Sequence, residues 1–134
     1  MPGYSGTPLP KKLGLKEKQR VTFVGLPAEV RSELREALAQ CEMVRDGGGQ
    51  LDFAMVFTKK QTDLKAEFGR LQKLLVPAGL LWVAWPKKGS GVATDVNEND
   101  ARRIGLAAGL VDVKVCAVTE VWSGLKFVRR VSER

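Results

Sequence analysis

A chain of 134 residues with 44% apolar side chains has the size of one domain with its own core, and holds no apolar run long enough to span a bilayer. Its 22 Lys and Arg against 15 Asp and Glu leave a net charge of +7, which favours anionic partners such as nucleotides, nucleic acid, acidic proteins or phosphates. Histidine is absent, and with it the usual general base near neutral pH and the commonest metal ligand, which argues against zinc and triad-hydrolase chemistry.

Residues 1–20 read as an irregular basic segment. Pro2, Gly3, Gly6, Pro8, Pro10 and Gly14 prevent a long helix, and a short helical turn fits around Leu9 to Leu13. From Val21 two periodicities alternate. VTFVGL (21–26) reads as a buried strand, and Val30, Leu34, Ala37, Leu38 and Cys41 mark one face of a helix. EMVRD (42–46) predicts a short strand ending at a triple-glycine turn, and LDFAMVFT (51–58) a continuous apolar strand. Leu64, Phe68, Leu71, Leu74 and Leu75 form the next helical stripe, with Pro77-Ala78-Gly79 as its terminator.

The stretch LLWVAWPKKGSGVATD (80–95) carries the most information. An apolar strand ends at Pro86, and a cationic loop of small and hydroxylated residues follows. Loops at the carboxyl end of an α/β sheet are the usual place for a ligand. Lys87 and Lys88 could supply charge, Ser90 and Thr94 hydroxyls, and the backbone around Gly89 and Gly91 free amides, together a cradle for phosphate or carboxylate. The G-x-x-x-x-G-K spacing of a Walker loop is missing. Trp82 and Trp85 should face opposite layers as core residues. Asn97, with Asp100 three residues on, predicts a capped helix reaching about Ala108. The chain closes with strand patterns VDVKVCAV (111–118) and LKFVRRV (125–131), joined by a loop carrying Trp122-Ser123-Gly124. That loop is short enough for an antiparallel hairpin. Cys41 and Cys116 sit in helix and strand patterns, where they read as small buried hydrophobes.

Strand–helix alternation followed by a hairpin predicts one α/β domain over 1–134, a three-layer Rossmann-like open sheet, mostly parallel. LDFAMVFT…LQKLLVPAGLLWVAWPK resembles the core of S-adenosylmethionine-dependent methyltransferases in reduced form, which implies the strand order 2-1-3-4-6-5. Over nearly its full length the chain resembles a family of small bacterial proteins classed as a domain of unknown function. That likeness rests on GYSGTPLPKKLGL (3–15), WVAWPKKGSGVATD (82–95) and VDVKVCAV…WSGLKFVRR (111–130), and it implies no particular activity. The first strand departs from the methyltransferase pattern. It ends Val24-Gly25-Leu26-Pro27, with one glycine, no acidic neighbour and a proline without an N–H. Asp46 stands where a ribose-binding carboxylate could be expected, or else opens the glycine turn.

The expected function is non-catalytic binding of an anionic small molecule or nucleotide at the loop after the fourth strand, through Lys87, Lys88, Ser90 and Thr94. Trp122 could stack on a base or cover the sheet edge. Tyr4, Ser5 and Thr7 would complete a closed pocket if the N-terminal segment folded across the strand ends. No catalytic residue, metal or cofactor is assigned, although Asp95 or Glu120 could act as a base with Lys87 as electrophile. The alternatives are an interaction or scaffold module pairing through the hairpin edge, guarded by Lys126, Arg129 and Arg130, and nucleic-acid binding. The latter would use a basic face of Lys11, Lys12, Lys16, Lys59, Lys60, Arg129 and Arg130. A cytoplasmic location is expected, and the state of self-association stays open.

Overall fold

The computed structural model describes residues 7–45 and 49–134. Tyr4, Ser5 and Asp46 lie outside the described residues. A five-residue helix α1 (Leu9–Leu13) leads into β1 (Arg20–Val24), α2 (Ala28–Leu38) and the two-residue β2 (Glu42–Met43). Next come β3 (Leu51–Phe57), α3 (Gln61–Gln72), β4 (Leu75–Pro86) and α4 (Glu98–Ala107), then β5 (Leu110–Ala117) and β6 (Trp122–Arg129). The strands form one sheet in the order β2-β1-β3-β4-β6-β5. β1, β2, β3 and β4 pair parallel, and β6 runs antiparallel to both β4 and β5. The α/β class, the strand order and the antiparallel closing pair are those the sequence implied.

Side chains alternate off the sheet into two cores. On one face Leu9, Leu13, Val21, Val30, Leu34, Phe53, Met55, Trp82, Val118 and Trp122 pack under α1 and α2. On the other, Val56, Leu64, Phe68, Val83, Trp85, Ile104 and Phe127 pack under α3 and α4. Trp82 and Trp85 thus fall into opposite layers, as strand alternation requires. Phe68 and Phe127 meet edge to face at 5.0 Å. α4 begins with the capping box that Asn97 and Asp100 promised: Asp100 N–H donates to Asn97 Oδ1 at 2.9 Å, and Asn97 N–H to Asp100 Oδ2 at 3.1 Å.

Three readings need correction. Pro77-Ala78-Gly79 does not end a helix but lies inside β4, where the pairing with β3 shifts from Leu51↔Leu75 to Phe53↔Leu80. The irregular register leaves room for a proline that cannot donate to the ladder. Trp122 is not in the hairpin loop. It is the first residue of β6, paired with Pro86 and buried. The outer strand is β5, so Lys126 and Arg129 stand on an inner strand rather than guarding the edge. Arg129 instead donates to the Gln72 and Leu75 carbonyls at 2.5 and 3.3 Å, tying the end of α3 to the start of β4.

Candidate functional site

From β1 the chain crosses by α2 to β2 at one side, then returns to β3 and crosses by α3 to β4 at the other. Crossovers that diverge in this way open a crevice at the carboxyl ends of β1 and β3. A cavity of about 600 Å³ lies there, lined among others by Gly25, Thr58, Lys59, Lys60, Asp63 and Trp122. A second, of about 630 Å³, lies over the end of β4, lined by Lys87, Lys88, Gly89, Thr94, Asp95 and Ser123 among others. The short β3–α3 connection separates the two. Trp122 forms an apolar wall, its indole meeting the Phe57 ring edge to face at 5.2 Å.

The connection and the loop after β4 are stitched together. Thr94 Oγ1 donates to the Lys59 carbonyl at 2.7 Å, and Asp95 N–H donates to the same oxygen at 3.1 Å. Gln61 N–H, in the first turn of α3, donates to Asp95 Oδ1 at 2.8 Å, and its side-chain amide reaches the Asp95 carbonyl at 2.6 Å. Lys60, the residue before α3, supplies no side-chain cap. Asp95 therefore caps that helix from another element, which satisfies an amide the helix cannot and places negative charge at its positive end. Asp95→Ala should cost about 1 kcal/mol of stability and speed amide exchange at 61–63 and 94–96. Urea unfolding and hydrogen exchange check both. An unchanged midpoint would show that the cap contributes nothing.

The geometry sorts the residues singled out in the sequence. Lys87, Lys88 and Thr94 stand together around one cavity, with Ser90 in the same loop. Trp122 belongs to the neighbouring cavity. Thr7 lies elsewhere, in a pocket with Lys11, Lys12 and Lys114 at the sheet edge. Several loop groups already have internal partners. Lys87 N–H donates to the Val121 carbonyl at 2.7 Å and Ser90 N–H to the Lys87 carbonyl at 3.1 Å. Ser90 Oγ accepts from Val92 N–H at 3.2 Å, and Thr94 Oγ1 from Val96 N–H at 3.1 Å. The hydroxyls thus serve chiefly to shape the loop. The amides of Lys88, Gly89 and Gly91 make none of the described hydrogen bonds.

Sequence reasoning passed over Lys59 and Lys60 as part of this site. The Lys-Lys pair directly after an apolar strand was the available signal, the same one that marked Lys87 and Lys88. None of these four ammonium groups makes a side-chain hydrogen bond or ion pair among the described residues. The carboxylates nearby are mostly engaged: Asp95 on α3, Glu98 with Arg102 at 2.8 Å, and Glu67 with Arg70 at 2.6 Å. Asp63, in the first turn of α3, makes none of the described bonds. The basic face expected from the sequence is divided: Lys11, Lys12 and Lys16 lie in and just after α1, Lys59 and Lys60 flank the crevice, and Arg129 holds backbone carbonyls. No helix among the described residues is long and apolar enough to cross a membrane.

A family model described as "Protein of unknown function (DUF3052)" matches residues 10–131. No curated protein matches the sequence. Among solved structures, the chain is similar to a SAM-dependent methyltransferase from Aquifex aeolicus, with a TM-score of 0.60 and 15% identity over 87% of this chain and 85% of that one. It is also similar to magnesium protoporphyrin IX methyltransferase from Synechocystis PCC 6803 with bound SAH, with a TM-score of 0.59 and 16% identity over 91% and 78%. A methyltransferase from Pyrococcus furiosus gives 0.58 and 13% over 92% and 80%. At such identities these likenesses establish a methyltransferase-like Rossmann fold.

Proposed function

The chain belongs to the DUF3052 family, and we propose that it is a non-catalytic domain that binds an anionic small molecule, a nucleotide or other phosphate-bearing compound, at the carboxyl rim of its sheet. The observation that carries this reading is the set of four lysines, Lys59, Lys60, Lys87 and Lys88, around two adjoining cavities with no ionic partner among the described residues. Ammonium groups supply charge, and the amides of Lys88, Gly89 and Gly91 add directional donors. Binding without catalysis is supported by the state of Asp95, a candidate base, which is committed to capping α3.

The fold neighbours raise S-adenosylmethionine as an occupant of the crevice, but the residues of this chain do not fit it. A glycine-rich turn serves such a ligand by letting it approach bare backbone. Gly25 has that approach filled from within: a Cβ there would lie 2.6 Å from the Phe57 carbonyl oxygen. Pro27, two residues on, has no N–H to offer. No methyl-transfer step is assigned.

The test is titration calorimetry with ATP, other nucleotides and inorganic phosphate at low and moderate salt. The expected result is binding that weakens with salt and falls about tenfold in Lys87→Ala and in Lys59→Ala, as for loss of one charge-assisted contact. Flat titrations with every anion would overturn the proposal.

A further inference from the structure

The carboxyl rim is not the only place where the fold gathers positive charge. On the outer flank, α1 packs beside β5, and between them lies a shallow pocket of about 540 Å³ lined by Thr7, Lys11, Lys12, Lys114, Val115, Cys116 and Ala117. No carboxylate among the described residues lines it. Lys12 Nζ donates to the Ala117 carbonyl at 2.7 Å, and Lys114 Nζ donates to the Lys12 carbonyl at 3.2 Å. Each lysine thus holds the other's element, and two ammonium groups are fixed at the junction rather than waving in solvent. A third is close. Lys126 is the Cα partner of Lys114 across the β5–β6 pair, and its Nζ lies 5.9 Å from the centre of the Trp82 ring.

Like charges directly opposite one another in an antiparallel pair are unfavourable. Burial, reinforced by Lys114, pushes the Lys126 pKa down. Nor does the floor of the pocket supply negative charge. Burial raises the Cys116 pKa against the opposing pull of Lys12, Lys114 and Lys126, so the thiol stays neutral. The bland account, lysines that merely solvate a surface, predicts mobile side chains spread apart. In this pocket two are tied to backbone carbonyls around one concavity, and Lys126, paired with Lys114 across the strands, lies over the Trp82 ring.

We propose that the pocket between α1 and β5 is a second anion site, separate from the carboxyl rim, which takes a phosphorylated small molecule by its phosphate group. Lys11, Lys12 and Lys114, which line the pocket, supply the charge for the phosphate, Lys126 adds to the field from the neighbouring strand, and Cys116 forms part of the wall. Cations held in place around a concavity favour a compact multivalent anion, because part of the ordering cost is met before binding.

Cys116 provides a local reporter. In a Cys41→Ser background, the alkylation rate of Cys116 by the neutral reagent iodoacetamide is measured with and without millimolar inorganic pyrophosphate. The expected result is a several-fold slowing in the parent and in Lys87→Ala, and no slowing in Lys114→Gln. Pyrophosphate without effect on the parent rate would overturn the proposal, as would protection that survives in Lys114→Gln. Protection lost in Lys87→Ala but kept in Lys114→Gln would move the anion to the carboxyl rim and equally end the claim for a second site.

Discussion

Trp82→Ala should remove about 3–5 kcal/mol of stability, the range for deleting a fully buried aromatic. Trp82 has no exposed surface and lies on β4, a central strand flanked by β3 and β6. Its indole does two jobs at once. The ring fills the layer beneath α1 and α2, and Nε1 donates to the Leu13 carbonyl at 2.8 Å in a buried setting. α1 has only five residues and cannot hold its shape alone. Leu9 and Leu13 pack into this layer, and the indole bond secures the end of the helix. Loss of the ring should therefore free α1 from the sheet before the protein unfolds, with fast amide exchange across 9–15. Trp82→Phe separates the two jobs. It keeps most of the volume and removes the donor, leaving a buried carbonyl unpaired at about 1–3 kcal/mol. Equal stability of Trp82→Phe and the parent would show that the indole bond contributes nothing and that packing alone holds α1. Because Lys12 on α1 and Lys114 on β5 meet at the second pocket, Trp82→Phe should also weaken anion protection of Cys116.

Much of this architecture could be read from residue order, and the parts that could not share a physical cause. Periodicity is a local signal. It placed Val30 and Leu34 on one helix face and put Trp82 and Trp85 in opposite layers, because burial on one side of a helix or strand imposes that spacing. The capping box at Asn97 and Asp100 was legible for the same reason, since both partners sit within one turn. Asp95 was not. It looked like a loop carboxylate free for acid–base work, whereas it caps α3 from 34 positions away in sequence. Pro77-Ala78-Gly79 misled because a helix terminator and an irregular strand use the same residues, and only the pairing of β3 with β4 distinguishes them. Trp122-Ser123-Gly124 reads as a loop because glycine signals a turn. Gly124 is instead an inner-strand position where a Cβ would stand 2.9 Å from a Val118 methyl. The site was found only in half. Lys87 and Lys88 announced themselves beside glycines, whereas Lys59 and Lys60 needed the sheet order to bring β3 beside β4.

Gly25→Ala is expected to destabilise the protein by more than the backbone strain alone, with a total of about 2–4 kcal/mol. Gly25 directly follows β1 with a φ of +69°, in the left-handed region where a side chain is strained. It also faces backbone rather than a movable side chain, since the added Cβ would approach the Phe57 carbonyl oxygen to 2.6 Å. β1 and β3 would have to separate at their carboxyl ends, where the crevice opens. Gly91→Ala is the matched control. Its φ of +85° imposes similar strain, but nothing lies within 4 Å of the added Cβ, so it should cost only about 1 kcal/mol. The difference between the two variants measures the close approach by itself. If that difference is large without any ligand, the glycine at the end of β1 serves strand-to-strand contact, and its presence is no mark of a cofactor that needs bare backbone. If the two variants unfold at the same urea concentration, the approach of Phe57 is soft. The crevice could then admit a ligand at Gly25, and S-adenosylmethionine would return as a candidate occupant.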